Sequence, residues 1–259
     1  MSTPPDLEAD LRVRLARAHR ILTAAGVWPL TKGHVSARIP STGAILILRH
    51  IHAYGRTLDT TTVDDLCAID PEGHPLADGI EPVGELFMHT SILRERLDIN
   101  SVVHCHSTFA TALGVSNVNV LPVGRRGAPF FPRVPILDFD GQIDTADRGT
   151  LLVQALGDGC AVVLKNHGTV VAGDSIEHAA MLAVALEDTA RLQYIASGVG
   201  TPEGMSEREA RDTMSGRRRD EFFSHVWQHY LAMDPSPDAG PQPSRGPEGP
   251  ARATAERGT

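Results

Sequence analysis

The chain has 259 residues, 41% of them hydrophobic and 22% charged, with a net charge of −8. That length suits one sizeable α/β domain or two small ones, and no stretch has the length and apolarity of a membrane span. The one basic run, "GRRRD" at Gly216 to Asp220, meets acids at once and reads as a solvated helix face, so no nucleic-acid partner is expected.

Cys67, Cys105 and Cys160 are odd in number and far apart, which excludes a disulfide framework or a paired-cysteine zinc site. The N-terminus, "MSTPPDLEADLRVRLARAHR", alternates charges and lacks the apolar core of a signal peptide, so a soluble, cytoplasmic protein is expected.

In chain order, "DLEADLRVRLARAHRILTAAGV" places Leu7, Leu11, Leu15, Ala18 and Leu22 at helical spacing and stops at Gly26. "HVSARIPSTGAILIL" reads as two short strands around a Ser-Thr-Gly turn, and "DLCAIDPEGHPL" as strand-like segments around Pro-Glu-Gly. "GELFMHTSILRERL" predicts a helix, "INSVVHCHS" a strand and "TFATALGV" a short helix. Residues 121–144 have little periodicity and form a long loop of the kind that is often functional. "TADRGTLLVQALG" predicts a helix, "CAVVLKNHG" a buried strand, and "SIEHAAMLAVALEDTARLQYIASG" the longest helix. No linker interrupts this run, so residues 1–233 are read as one domain. Residues 234–259, dominated by Pro, Gly, Ala and Ser, are read as a disordered tail that can be removed after Met233 without loss of stability or activity.

Two strands carry histidines where the chain leaves the sheet. In "SVVHCHS", His104 and His106 are two residues apart and so share a strand face; paired imidazoles suit a metal ion, although ordinary strand pairing has the same pattern. "VVLKNHG" adds His167 at the end of a second apolar strand. Three imidazoles leave coordination positions open for a substrate, as a catalytic site requires. Glu85 precedes a helix whose N-terminal dipole favours a carboxylate, either as a structural acid or as a base. His89, four residues on, is read as a helix-surface histidine, with support of the metal shell as the alternative.

"GHVSARI", "EPVGELFMHTSILRERLDINSVVHCHS" and "VVLKNHGTVVAG" together resemble the class II aldolase/adducin N-terminal family, over roughly residues 7 to 230. The resemblance implies a single three-layer α/β/α domain with a mostly antiparallel central sheet, and a homotetramer. It implies His104, His106 and His167 as ligands of one divalent metal ion per subunit, with Glu85 as the catalytic carboxylate. Imidazole ligands accept Zn, Mn, Fe or Co.

The phosphate-binding pattern of the family's sugar-phosphate aldolases is missing. His34 stands for Asn in "GHVS", "LRHIHAYG" has no Thr-Gly turn, and Val83 and Gly84 stand where two serines precede the acid. A phosphate dianion needs several convergent donors. His34, Ser36, Arg38, Arg49, His52 and Arg125 instead suggest a site for an anionic carboxylate, with His50 and Arg126 nearby. The closest branch by resemblance is the metal-dependent decarboxylases of hydroxyphthalates and hydroxypyridine dicarboxylates. The other readings are a sugar-phosphate aldolase, epimerase or dehydratase; a non-haem iron oxygenase; and a non-enzymatic adducin-like scaffold.

Overall fold

The computed structural model describes residues 4–28, 32–50, 57–139, 141–215 and 217–234. Strands β1 (Gly33–Arg38) and β2 (Ile45–Leu48) form the predicted antiparallel hairpin. Gly43 takes the left-handed position in its turn, at φ +75°. Strand β3 (Leu66–Ile69) extends the hairpin beyond β2, and β4 (Ser101–Cys105) pairs with the other edge of β1. The sheet continues through β7 (Gly168–Gly173), β6 (Ala161–Leu164) and the two-residue β5 (Ile136–Leu137). The order is β3-β2-β1-β4-β7-β6-β5, and among the described residues only β5 and β6 run parallel.

Strands β2, β4 and β6 are buried along their whole length, as uninterrupted apolar runs are when both sheet faces are covered. One face carries α1 (Pro4–Ala24), α3 (Thr108–Val115), α5 (Ile176–Ser197) and α7 (Arg217–Leu231). The other carries α2 (Phe87–Glu95) and α4 (Ala146–Leu156), which pack on each other. The expected α/β/α layering therefore forms. The longest helix, α5, begins where the Ser175 side chain accepts from the His178 N–H and buries Ile176, Leu182 and Leu186.

Four sequence expectations are revised. Leu7 is 57% exposed, so the buried stripe of α1 begins further along, at Leu15. "CAVVLKNHG" is not one strand: β6 ends at Leu164, Asn166 turns the chain at φ +60°, and His167 lies in the tight turn into β7. The segment 121–144 contains a 3₁₀ turn over Arg125–Phe130 and strand β5, so it is partly ordered by the sheet. A further helix, α6 (Glu207–Thr213), was not expected; Ser206 and Glu209 form a reciprocal capping box at its start.

The sequence expectation puts Asp234 in the tail. Asp234 is buried, and its carboxylate accepts from the guanidinium of Arg20 in α1 at 2.9 and 2.8 Å. The tail read as disordered otherwise lies outside the described residues, at 235–259.

Candidate metal centre

Sheet register assembles the centre. His104 lies opposite His34 on β1 and opposite Val170 on β7, and His106 follows β4 by one residue. The β6–β7 turn brings His167 to the same end of the sheet. That approach needs Gly168: a Cβ there would lie 2.4 Å from the Cys105 carbonyl oxygen. Glu85 arrives from a third direction. Val83 N–H donates to the Leu48 carbonyl at 3.2 Å, His50 N–H donates to the Glu81 carbonyl at 2.8 Å, and the chain then crosses the strand ends into α2.

The ligand atoms of His104, His106 and His167 all lie within 4.8 Å of one another. His104 Nδ1–H donates to the Thr169 carbonyl at 3.0 Å, which leaves its Nε2 as a bare lone pair facing inward. His106 Nε2 is 3.1 Å away from it. Two imidazole nitrogens at that separation need either a proton or a cation between them. Glu85 Oε2 sits 3.7 Å from His104 Nε2 and 3.6 Å from His167 Nε2, while Glu85 Oε1 is buried with no hydrogen-bond partner among the described residues. An orphaned carboxylate oxygen beside three converging imidazoles fits a divalent cation in both charge and donor chemistry.

Burial sets the protonation of these groups. It lowers the pKa of His106 to about 4, with His167 and Lys32 adding to the effect. Burial, then Lys32, lowers His167, and burial with its imidazole neighbours holds His104 far below the usual histidine range. All three are therefore neutral and able to ligate near pH 7. Burial pushes the Glu85 carboxyl up to about 7; the backbone N–H of Ile143 opposes the rise and the Asp144 carboxylate adds to it. A cavity of about 200 Å³ opens onto this group, bordered by Lys32, His34, His50 and Gln142.

Known proteins resemble the chain in sequence and in fold. Residues 13–194 match the class II aldolase and adducin N-terminal domain. The chain belongs to this family. A 3,4-dihydroxyphthalate decarboxylase of Arthrobacter keyseri is 29% identical to this class II aldolase-family chain over 212 residues, covering 76% of it and 82% of the relative. The 3,4-dihydroxyphthalate decarboxylase of Terrabacter sp. (strain DBF63) is 30% identical over 206 residues, covering 73% and 82%. In fold, the family member resembles the L-fuculose 1-phosphate aldolase from Glaciozyma antarctica PI12, with a TM-score of 0.77, 22% identity and coverage of 90% and 93%.

Of the anion-binding residues expected in this family member, His34 borders the cavity. Ser36 does not reach it: its hydroxyl is buried and bonded to His89. Arg38 points to the opposite end of β1, donating to the Leu93 and Ile99 carbonyls. Arg49 donates to the Asp64 carbonyl at 3.1 Å and takes no part in the cavity. Arg125 borders a different cleft, with Glu203 and Glu209. His52 lies outside the described residues.

Two bordering residues escaped the sequence reading. Lys32 sits just before the "GHVS" strand, and Gln142 lies in the long segment flagged as functional. His89 is not on a helix surface: it is fully buried, between His34 and Ser36.

Proposed function

We propose that this chain is a divalent-metal-dependent carboxy-lyase acting on a hydroxylated aromatic or pyridine dicarboxylate. His104, His106 and His167 are its metal ligands, and Glu85 moves the proton. The observation that carries this reading is the makeup of the cavity beside the histidine trio. Among the described residues, imidazoles, an ammonium and a carboxamide border it, and no serine or threonine hydroxyl does. Among the described residues, the hydroxyls of a phosphate cradle are thus missing from this cavity, whereas His34, His50 and Lys32 suit the carboxylates of a flat diacid. The two dihydroxyphthalate decarboxylases among the relatives support the same choice of substrate.

The reaction replaces a ring carboxylate by hydrogen. The carbon–carbon bond breaks, CO2 leaves, and the electron pair stays with the ring until that carbon takes up a proton. A divalent cation held by the three imidazoles supplies a Lewis acid for the hydroxyl oxygen next to the departing carboxylate. Glu85, with a pKa near 7, is poised to deliver that proton and regain one from solvent. Lys32 and His50, at the rim, hold the carboxylate that remains. Copies of the chain associate as a homo-oligomer, which the exposed Leu192, Tyr194 and Ile195 on α5 support.

The test is an anaerobic assay of the metal-loaded protein with 3,4-dihydroxyphthalate. One CO2 per product molecule, without oxygen, is expected. Cleavage of a ketose phosphate with no CO2 release would replace this reading by an aldolase, and a strict need for oxygen would replace it by an oxygenase.

A further inference from the structure

A line of three buried side chains runs from the sheet interior to the cavity. Ser36 and His34, two residues apart on β1, share a face of the strand, and His89 from α2 lies between their side chains. Ser36 Oγ is 2.6 Å from His89 Nδ1, and His89 Nε2 is 2.7 Å from His34 Nδ1. With both rings neutral, protons can be ordered along this line in two ways.

In the first, the Ser36 hydroxyl donates to His89 Nδ1, His89 Nε2–H donates to His34 Nδ1, and His34 carries its own proton on Nε2, toward the cavity. In the second, His34 Nδ1–H donates to His89 Nε2 and His89 Nδ1–H donates to Ser36 Oγ. The Ser36 hydroxyl hydrogen then has no acceptor. Ser36 is completely buried, and among the described residues its hydroxyl has no partner besides His89. The second ordering therefore strands a buried donor, and the first does not.

We propose that Ser36 and His89 are positioning residues that fix His34 as an Nε2–H donor aimed into the cavity, where it binds an anionic oxygen of the substrate and does not act as a fourth metal ligand. The distinction matters because His34, Glu85 and His104 also hold their ligand atoms within 4.8 Å of one another. A protonated nitrogen has no lone pair for a cation, and Nδ1 of His34 is already engaged with His89. The neighbourhood that makes His34 a geometrical ligand is thus cancelled by its proton. The substrate half of this inference rests on the carboxy-lyase reading; the proton order does not.

The experiment is nitrogen NMR of the full chain with 15N-labelled histidine, metal-free and zinc-loaded, with resonances assigned through His34→Gln. The expected result is His34 protonated on Nε2 in both states, with no shift of a ligand nitrogen when zinc is added. Ser36→Ala and His89→Leu should mix in the Nδ1-protonated form, and His89→Gln, which returns an amide N–H toward His34, should restore the original signal.

His34→Ala should retain one zinc per chain. On 3,4-dihydroxyphthalate it should lose about 100-fold in kcat/KM, and Ser36→Ala about tenfold. A wild-type His34 protonated on Nδ1, a zinc-induced ligand shift at His34, loss of zinc in His34→Ala, or an unchanged tautomer in Ser36→Ala would each overturn the inference. Because the tautomer is read on the wild-type protein, a variant that fails to fold does not block the test. A correct tautomer without turnover of 3,4-dihydroxyphthalate would overturn the substrate reading alone and leave the proton order standing.

Discussion

His104 is held by Thr169: its Nδ1–H donates to the Thr169 carbonyl at 3.0 Å, from the strand that pairs with its own. The bond fixes the ring so that the free lone pair faces His106 and His167. The sheet thus orients His104 for the ligand role proposed for it.

His106, by contrast, lies one residue past β4. His106→Ala should leave the fold intact and weaken metal binding by at least about 100-fold, since losing even a group that only orients a ligand costs 10–100-fold. Elemental analysis after dialysis checks this. Full metal occupancy would remove His106 from the ligand set.

Glu85→Gln preserves the size of the side chain and removes its proton chemistry. Metal content and melting temperature should hold, while turnover drops by about 10²–10⁴-fold, the usual contribution of a positioned proton carrier. Near-normal kcat would assign the proton to another group.

Gly168→Ala places a Cβ against backbone that cannot rotate away, 2.4 Å from the Cys105 carbonyl oxygen. Separation of β4 and β7 at this point should destabilise the protein by about 1–3 kcal/mol and displace His167. Urea denaturation and metal titration of the same variant should show both losses together. A stable variant with normal metal affinity would mean that the two strand ends yield independently of the site.

Acid should destabilise the protein through its buried neutral histidines. His19, with Nδ1–H on the Leu15 carbonyl and Nε2 accepting from the Val35 N–H, has no room for a second proton, and burial lowers its pKa to about 4. An unfolded histidine titrates near 6.5. The stabilisation is fully present above pH 6.5 and is lost as pH falls toward 4, because the unfolded chain takes up the proton first; the full span is about 3 kcal/mol. His89, lowered by burial to about 3, acts in the same direction. Denaturation of the metal-free protein at pH 7.5 and 4.5 should show the drop, and His19→Gln should reduce it. An equal drop in that variant would clear His19.

Arg20 and Asp234 form a pair that is 6% and 0% exposed. Asp234→Ala leaves a buried guanidinium without its carboxylate and should cost about 3–5 kcal/mol. Removing residues 235–259 while keeping Asp234 should leave the melting temperature unchanged. Thermal scans of the two variants distinguish a structural end at Asp234 from a dispensable one.

What the sequence made legible follows the range of the interactions involved. The strands of "HVSARIPSTGAILIL" and the helix of "SIEHAAMLAVAL" are written in local periodicity, and the structure has both. The convergence of His104, His106 and His167 was reached through the resemblance, because no spacing rule encodes the β4–β7 register. Arginines misled. A cation in a sequence carries no direction, and Arg38 and Arg49 turn out to satisfy backbone carbonyls away from the cavity. Lys32 was passed over for the same reason. His89 has a helix-surface spacing but is buried against His34 and Ser36 of β1, a contact between distant segments that leaves no local mark. Asp234 looked like the first residue of a polar tail, and only its partner 214 positions earlier reveals otherwise.

The turn that carries His167 joins two strands already zipped into the centre of the sheet. On the proposed reading, ligand geometry follows from the backbone pairing of β4, β7 and β6, so protein made in metal-starved cells should be intact and should gain activity when the metal is resupplied, without fresh synthesis.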